Sequence, residues 1–129
     1  MPTAPKGGRL FRTMGVGEYP DLNTRKRIPT PVALYVSSIP DDHTIYRTVF
    51  PATGLLQDLT LEVEALHEEP VQAEIEMIGD GVSVTSKFPL KKGLNFIELP
   101  PRISKNDKML IRIEGVATGF WLSYIYDMD

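Results

Sequence analysis

From Leu59 to Ala65 the chain alternates strictly: Leu59, Leu61, Val63 and Ala65 share one parity, while Thr60, Glu62 and Glu64 share the other. A two-residue period sends successive side chains to opposite sides of a pleated strand, so this segment reads as a half-buried β-strand. Val71–Ile78 repeats the pattern, setting Ala73, Ile75 and Met77 against Gln72, Glu74 and Glu76. Gly79-Asp80-Gly81 then predicts a tight hairpin into Val82–Thr85, because Asp and Gly tolerate positive φ. Further strands are predicted at Val32–Ser38, Thr44–Phe50, Leu94–Leu99, Met109–Glu114 and Phe120–Tyr126, with Pro- and Gly-containing breaks at 51–54 and 100–101 and glycines at Gly93, Gly115 and Gly119. No window carries a helical period. About eight short strands with regular punctuation predict an all-β domain, a two-sheet antiparallel sandwich of jelly-roll-like form.

Residues 1–31 break the pattern. They hold five of the eleven prolines and no sustained period, and their apolar residues (among them Leu10, Phe11, Met14 and Tyr19) are too scattered to form a core. The chain therefore divides into an extended, proline-rich N-terminal arm, 1–31, and a β-sandwich domain, 32–129. Charge divides the same way. The arm has six basic residues (Lys6, Arg9, Arg12, Arg25, Lys26, Arg27) against Glu18 and Asp21, a net of +4; the other 98 residues carry 8 basic and 15 acidic groups, a net of −7, which together give the overall −3. Ordering such an arm costs on the order of 30–60 kcal/mol of backbone entropy, so it needs a surface supplied from elsewhere.

Composition adds limits. A length of 129 residues suits one domain. No apolar run approaches a membrane span, and the N-terminus lacks the apolar stretch of a signal peptide, so neither membrane insertion nor export is expected. The absence of cysteine removes disulfides, thiolate metal sites and cysteine nucleophiles.

The residues offer little catalytic chemistry, and the expectation is a protein that is not an enzyme and takes no cofactor or metal. His43 and His67 are the only histidines and have no metal-ligand spacing. Asp41-Asp42-His43 reads as a solvated turn. Gly15-Val16-Gly17 follows no strand and opens no helix, so it is not a nucleotide loop. Glu62, Glu64, Glu74 and Glu76 alternate as the wet face of two neighbouring strands, not as a catalytic or Ca²⁺-binding cluster.

Two features could carry binding. The first is aromatic: Phe120, Trp121, Tyr124 and Tyr126 on the last strand, with Tyr35 and Tyr46 on earlier ones. Alternation puts Phe120, Leu122, Tyr124 and Tyr126 on one face and Trp121, Ser123 and Ile125 on the other. Core packing is the default, with Trp121 between the sheets; the rival is a carbohydrate-binding row made of Trp121, Tyr124 and Tyr126. The second is the arm, where Arg9, Leu10, Phe11, Arg12, Tyr19, Arg25, Lys26 and Arg27 interleave cations with apolar groups. That mixture suits a strap on acidic protein surface better than a nucleic-acid contact.

The run Lys91-Lys92-Gly93-Leu94-Asn95-Phe96-Ile97-Glu98-Leu99, followed by Ile103-Ser104-Lys105-Asn106-Asp107-Lys108-Met109-Leu110-Ile111, resembles small β-sandwich accessory proteins of tailed-phage virions. Their pattern is a Gly-x-Asn strand, a spacer and a Lys-Gly-Asp-like turn entering the next strand. Here the turn is Lys105-Asn106-Asp107, and Asn can take the left-handed conformation that glycine would supply. Phe50-Pro51-Ala52-Thr53-Gly54 and Gly119-Phe120-Trp121-Leu122-Ser123-Tyr124 are similar in the same way, and the likeness spans most of residues 44–126. The resemblance implies a capsid decoration or cement protein, or a tail or collar component, made in the host cytoplasm and carried in the virion. It implies a homo-oligomer such as a trimer, tied to other virion subunits by its arms, with no catalytic residue.

Overall fold

The computed structural model describes residues 28–129, and the expectations placed on Arg9 to Arg27 lie outside the described residues. The described chain is all-β and without helix. Its seven strands are β1 (Ile28–Val36), β2 (Thr44–Val49), β3 (Gly54–Gly79), β4 (Val82–Pro89), β5 (Gly93–Phe96), β6 (Arg102–Ile103) and β7 (Lys108–Met128). They form one continuous antiparallel sheet with the path β1-β7-β3-β4; β2 adds to β7, and β5 and β6 add to β3.

Two expected pairs of strands are each a single strand. The alternating segments 59–65 and 71–78 both belong to β3, and 109–114 and 120–126 both belong to β7. The intervening residues bend the ladder without ending it. Along β3 the register to β7 shifts between Leu66 and Glu68 and again between Glu68 and Gln72. Pro70, which has no N–H to give, falls in the second irregularity, where a proline inside a sheet is tolerated. Opposite it, Gly115 has φ 111, and a Cβ there would lie 2.7 Å from the Pro70 carbonyl oxygen, so only glycine lets the two strands approach at the bend.

The bend folds the sheet back on itself. Tyr46 is opposite Ile111 on β7, and Tyr124 is 13 residues further along the same strand, roughly 40 Å away were it straight. Yet the two hydroxyls meet at 2.6 Å, and the Phe50 ring packs on Tyr126 at 4.8 Å and edge-on to Tyr124 at 6.5 Å. The segment after β2 ties both ends of β7 together: Phe50 N–H donates to the Asp107 carbonyl, and Asp129 N–H donates to the Thr53 carbonyl. Between the two halves lies one core containing Leu61, Val63, Ile75, Met109, Ile111, Ile113, Phe120 and Leu122, all essentially inaccessible.

Local turn chemistry follows the residues. Asp80 and Gly81 both take positive φ in the β3–β4 hairpin, and Asn106 sits at φ 74 in the turn before β7. β1 starts at Ile28, four residues before the strand expected from Val32. Pro29 and Pro31 occur there because β1 is an edge strand bonded only to β7.

Candidate functional site

Folding the sheet gives each half an outer face, and the two differ in chemistry. Around β2, β4 and the first part of β7 the outward positions mix apolar Val49, Leu110 and Ile78 with three charged pairs. Arg112 meets Glu76 at 3.1 Å, Arg47 meets Asp42 at 2.8 Å, and Lys87 meets Glu114 at 3.6 Å. Glu76 also accepts a hydrogen bond from Ser83, and this bond, with that from Arg112, holds its carboxyl below the usual range.

The outer face built by β1, the last part of β7, the first part of β3 and β5 is aromatic and aliphatic. Register assembles it in rows. Tyr35, Trp121, Glu62 and Leu94 stand side by side, next come Ala33, Ser123, Thr60 and Phe96, and then Pro31, Ile125 and Gln57. Phe96 is 77% exposed and Trp121 49%, with Tyr35 and Leu94 close to the latter. None of these positions is a lysine or arginine. Phe96 stands beside a groove of about 340 Å³ that is also lined by Asp58, Leu59, Ile97, Glu98 and Pro101.

One carboxylate organises the aromatic end of this face. Glu64 accepts a hydrogen bond from the Tyr35 hydroxyl (2.9 Å) on one oxygen and from the Trp121 indole N–H (3.1 Å) on the other, and the two rings pack at 4.5 Å with a 44° tilt. The bond to Glu64 raises the Tyr35 pKa, with desolvation adding to it. Gly119 supplies the room: it has φ 76, and a Cβ there would collide with the Glu64 side chain. In the next row, Thr60 and Ser123 hydroxyls bond at 2.6 Å. Two aromatic rings are thus held rigid in solvent, which a loose surface side chain is not.

The chain matches no protein-family model, no curated protein and no solved structure. Its site must be weighed on its own residues. Of the three aromatics expected to stack on sugar, only Trp121 faces solvent. Tyr124 and Tyr126 are each 4% exposed and belong to the core against Phe50, where burial raises the pKa of both hydroxyls. The expectation of Trp121 between the sheets also fails, because its parity is that of Ser123 and Ile125, away from the core.

Other candidates resolve structurally. Glu62 and Glu64 lie on the aromatic face, but Glu74 and Glu76 lie beyond the bend of the same strand, so the four glutamates form neither a cluster nor a pair of neighbouring strands. Asp42 accepts from the Thr44 N–H and pairs with Arg47, which explains the Asp41-Asp42-His43 turn. His67 bonds the Thr118 hydroxyl at 2.9 Å across the strands. Among the described residues no group of His, Asp and Glu could hold a metal ion. Residues missed from sequence are Glu64 as a clamp and Leu94 and Phe96 as exposed apolar groups; Glu98, which shares their parity, was the one local cue.

Proposed function

We propose that this chain is a non-catalytic structural protein that docks onto other protein subunits through its aromatic sheet face. Its setting is the virion role implied by the phage-like motifs: a capsid decoration or cement protein, or a tail or collar component, working as a homo-oligomer. The folded single sheet, with one core between its halves, is compatible with the jelly-roll-like layering of that family.

The observation that supports docking is the set of exposed Tyr35, Trp121, Leu94 and Phe96 on two adjacent rows of one face, with Glu62 between Trp121 and Leu94. Exposed apolar groups gathered on one face mark interaction surfaces, and aromatic residues dominate the energetics of protein interfaces. Phe96 contributes little to the fold at its exposure, so Phe96→Asp should change unfolding free energy by only about 0.5 kcal/mol. It should abolish both self-association, measured by light scattering, and co-sedimentation with virion particles stripped of the protein. Undiminished association of Phe96→Asp in both assays would sink the docking role.

A second function is favoured by one specific observation. Trp121 and Tyr35 offer tilted ring surface beside Glu62, Ser123 and Thr60, the mixture of flat apolar face and polar edge that holds a sugar ring. A carbohydrate-binding module predicts calorimetric heat with oligosaccharides that vanishes in Trp121→Ala. No heat from the wild type across a panel of host-surface glycans would end it.

A further inference from the structure

We propose that the aromatic face is the seat of the chain's own N-terminal segment, residues 1–27. This names an occupant for the docking surface proposed above and rests on that surface being one.

The segment enters the described chain at Ile28, the first residue of β1, which is the edge strand of the aromatic face itself. Its 27 residues can span about 90 Å when extended, several times the roughly 20 Å from Pro29 to Tyr35, so reach is no obstacle whether it crosses its own face or a neighbour's. Charge selects this face. Residues 1–27 carry six basic and two acidic groups, +4; residues 28–129 carry 8 basic and 15 acidic, −7. On the aromatic face Glu62 stands in a row without a cation, Glu64 beside it keeps its charge while accepting from Tyr35 and Trp121, and Asp58 and Glu98 line the groove next to Phe96. On the other outer face Asp42, Glu114 and Glu76 are engaged by Arg47, Lys87 and Arg112, which leaves a cationic strap fewer carboxylates to neutralise there.

Composition fits as well as charge. Leu10 and Phe11 lie between Arg9 and Arg12, and Met14, Tyr19 and Leu22 lie between Arg12 and the Arg25-Lys26-Arg27 cluster; Trp121, Tyr35, Leu94 and Phe96 would receive such apolar groups. Pro2, Pro5 and Pro20 reduce the entropy lost when the segment is held.

The test uses the only tryptophan in the chain, Trp121, as a reporter at the centre of the face. Acrylamide quenching of the full-length protein should show a shielded indole. Shielding should be lost in Arg25→Glu/Lys26→Glu/Arg27→Glu, and separately in Leu10→Asp/Phe11→Asp, while far-UV circular dichroism stays unchanged. It should also weaken in about 1 M salt, where the screening length falls to about 3 Å. Equal quenching of wild type and both variants would overturn the proposal. Such a result leaves the docking role standing if Phe96→Asp still fails to bind particles, so the two failures are distinct.

Discussion

Asn95 links the sequence motif to the face, and its replacement tests the chain of cause. It lies in β5 between the exposed Leu94 and Phe96, but its own side chain is buried. The amide oxygen accepts the Lys91 N–H at 3.0 Å, and the amide nitrogen points at three carbonyl oxygens: Lys91 at 2.9 Å, and Leu61 and Gly93 at 3.1 Å each. That nitrogen has two hydrogens, so the side chain makes at most about three full-strength bonds here, each worth about 1 kcal/mol net. Asn95→Ala should therefore cost about 2–3 kcal/mol. Asn95→Asp keeps the size and the bond from Lys91 but turns a carboxylate oxygen toward three carbonyls. Desolvation and repulsion raise that carboxyl above its ordinary value of about 3.9, so the folded state binds the proton more tightly than the unfolded one. The variant's deficit relative to wild type is then smallest at about pH 4 and below, and it grows as pH rises through the raised pKa. Urea unfolding followed by circular dichroism at about pH 4.5 and pH 7 should rank wild type above Asn95→Ala above Asn95→Asp at the higher pH, with the Asp deficit shrinking at the lower. An Asp variant as stable as wild type at neutral pH, or one whose deficit widens on acidification, would refute the assignment of these bonds.

Three further outcomes are expected. Phe50→Ala, which empties the contact between the two ends of the folded sheet, should cost about 3–5 kcal/mol in urea unfolding, far more than a surface Phe. Gly119→Ala should cost about 1–2 kcal/mol for its left-handed backbone and shift Trp121 emission, because the new methyl displaces Glu64 from the indole N–H. Glu76 has a folded pKa below its ordinary value, so its contribution to stability is present above about pH 4.5 and is lost as pH falls through the folded pKa; the urea unfolding midpoint should therefore fall less steeply on acidification below about pH 4.5 in Glu76→Gln.

The strands were legible because alternation is a local property. Leu59–Ala65, Val71–Ile78 and Phe120–Tyr126 show their buried parity without reference to any partner, and the β3–β4 hairpin is written in Gly79-Asp80-Gly81. Continuity was not legible. Pro70, Gly115 and Gly119 punctuate the sequence as turn residues do, and whether they end a strand or bulge it depends on the partner opposite. Here the interruption in β3 at 66–72 faces the glycine of β7, so the ladder survives as one bent sheet where two were expected. The arrangement of Tyr35, Glu64 and Trp121 was hidden for the same reason. It rests on register between segments 29 and 57 residues apart, and no local period encodes that.

Why contact should run through a sheet face and not through an open edge follows from how the edges are built. Pro29, Pro31, Ala33 and Tyr35 share a parity on β1, and a proline bonded into the ladder must direct its N-terminal side away from β7. The outward edge of β1 is thereby stripped of two donors, and strand addition is blocked where that edge begins. β5 is only four residues long, and the free edge of β4 carries Lys87 and ends at Pro89. Short strands, charges and prolines are the means by which sheets resist edge-to-edge pairing. A chain that blunts its edges yet leaves Trp121, Tyr35, Leu94 and Phe96 exposed on one face has restricted where a partner can attach. The Glu64 clamp then fixes the orientation of the two rings before any partner arrives, which lowers the entropic cost of meeting it.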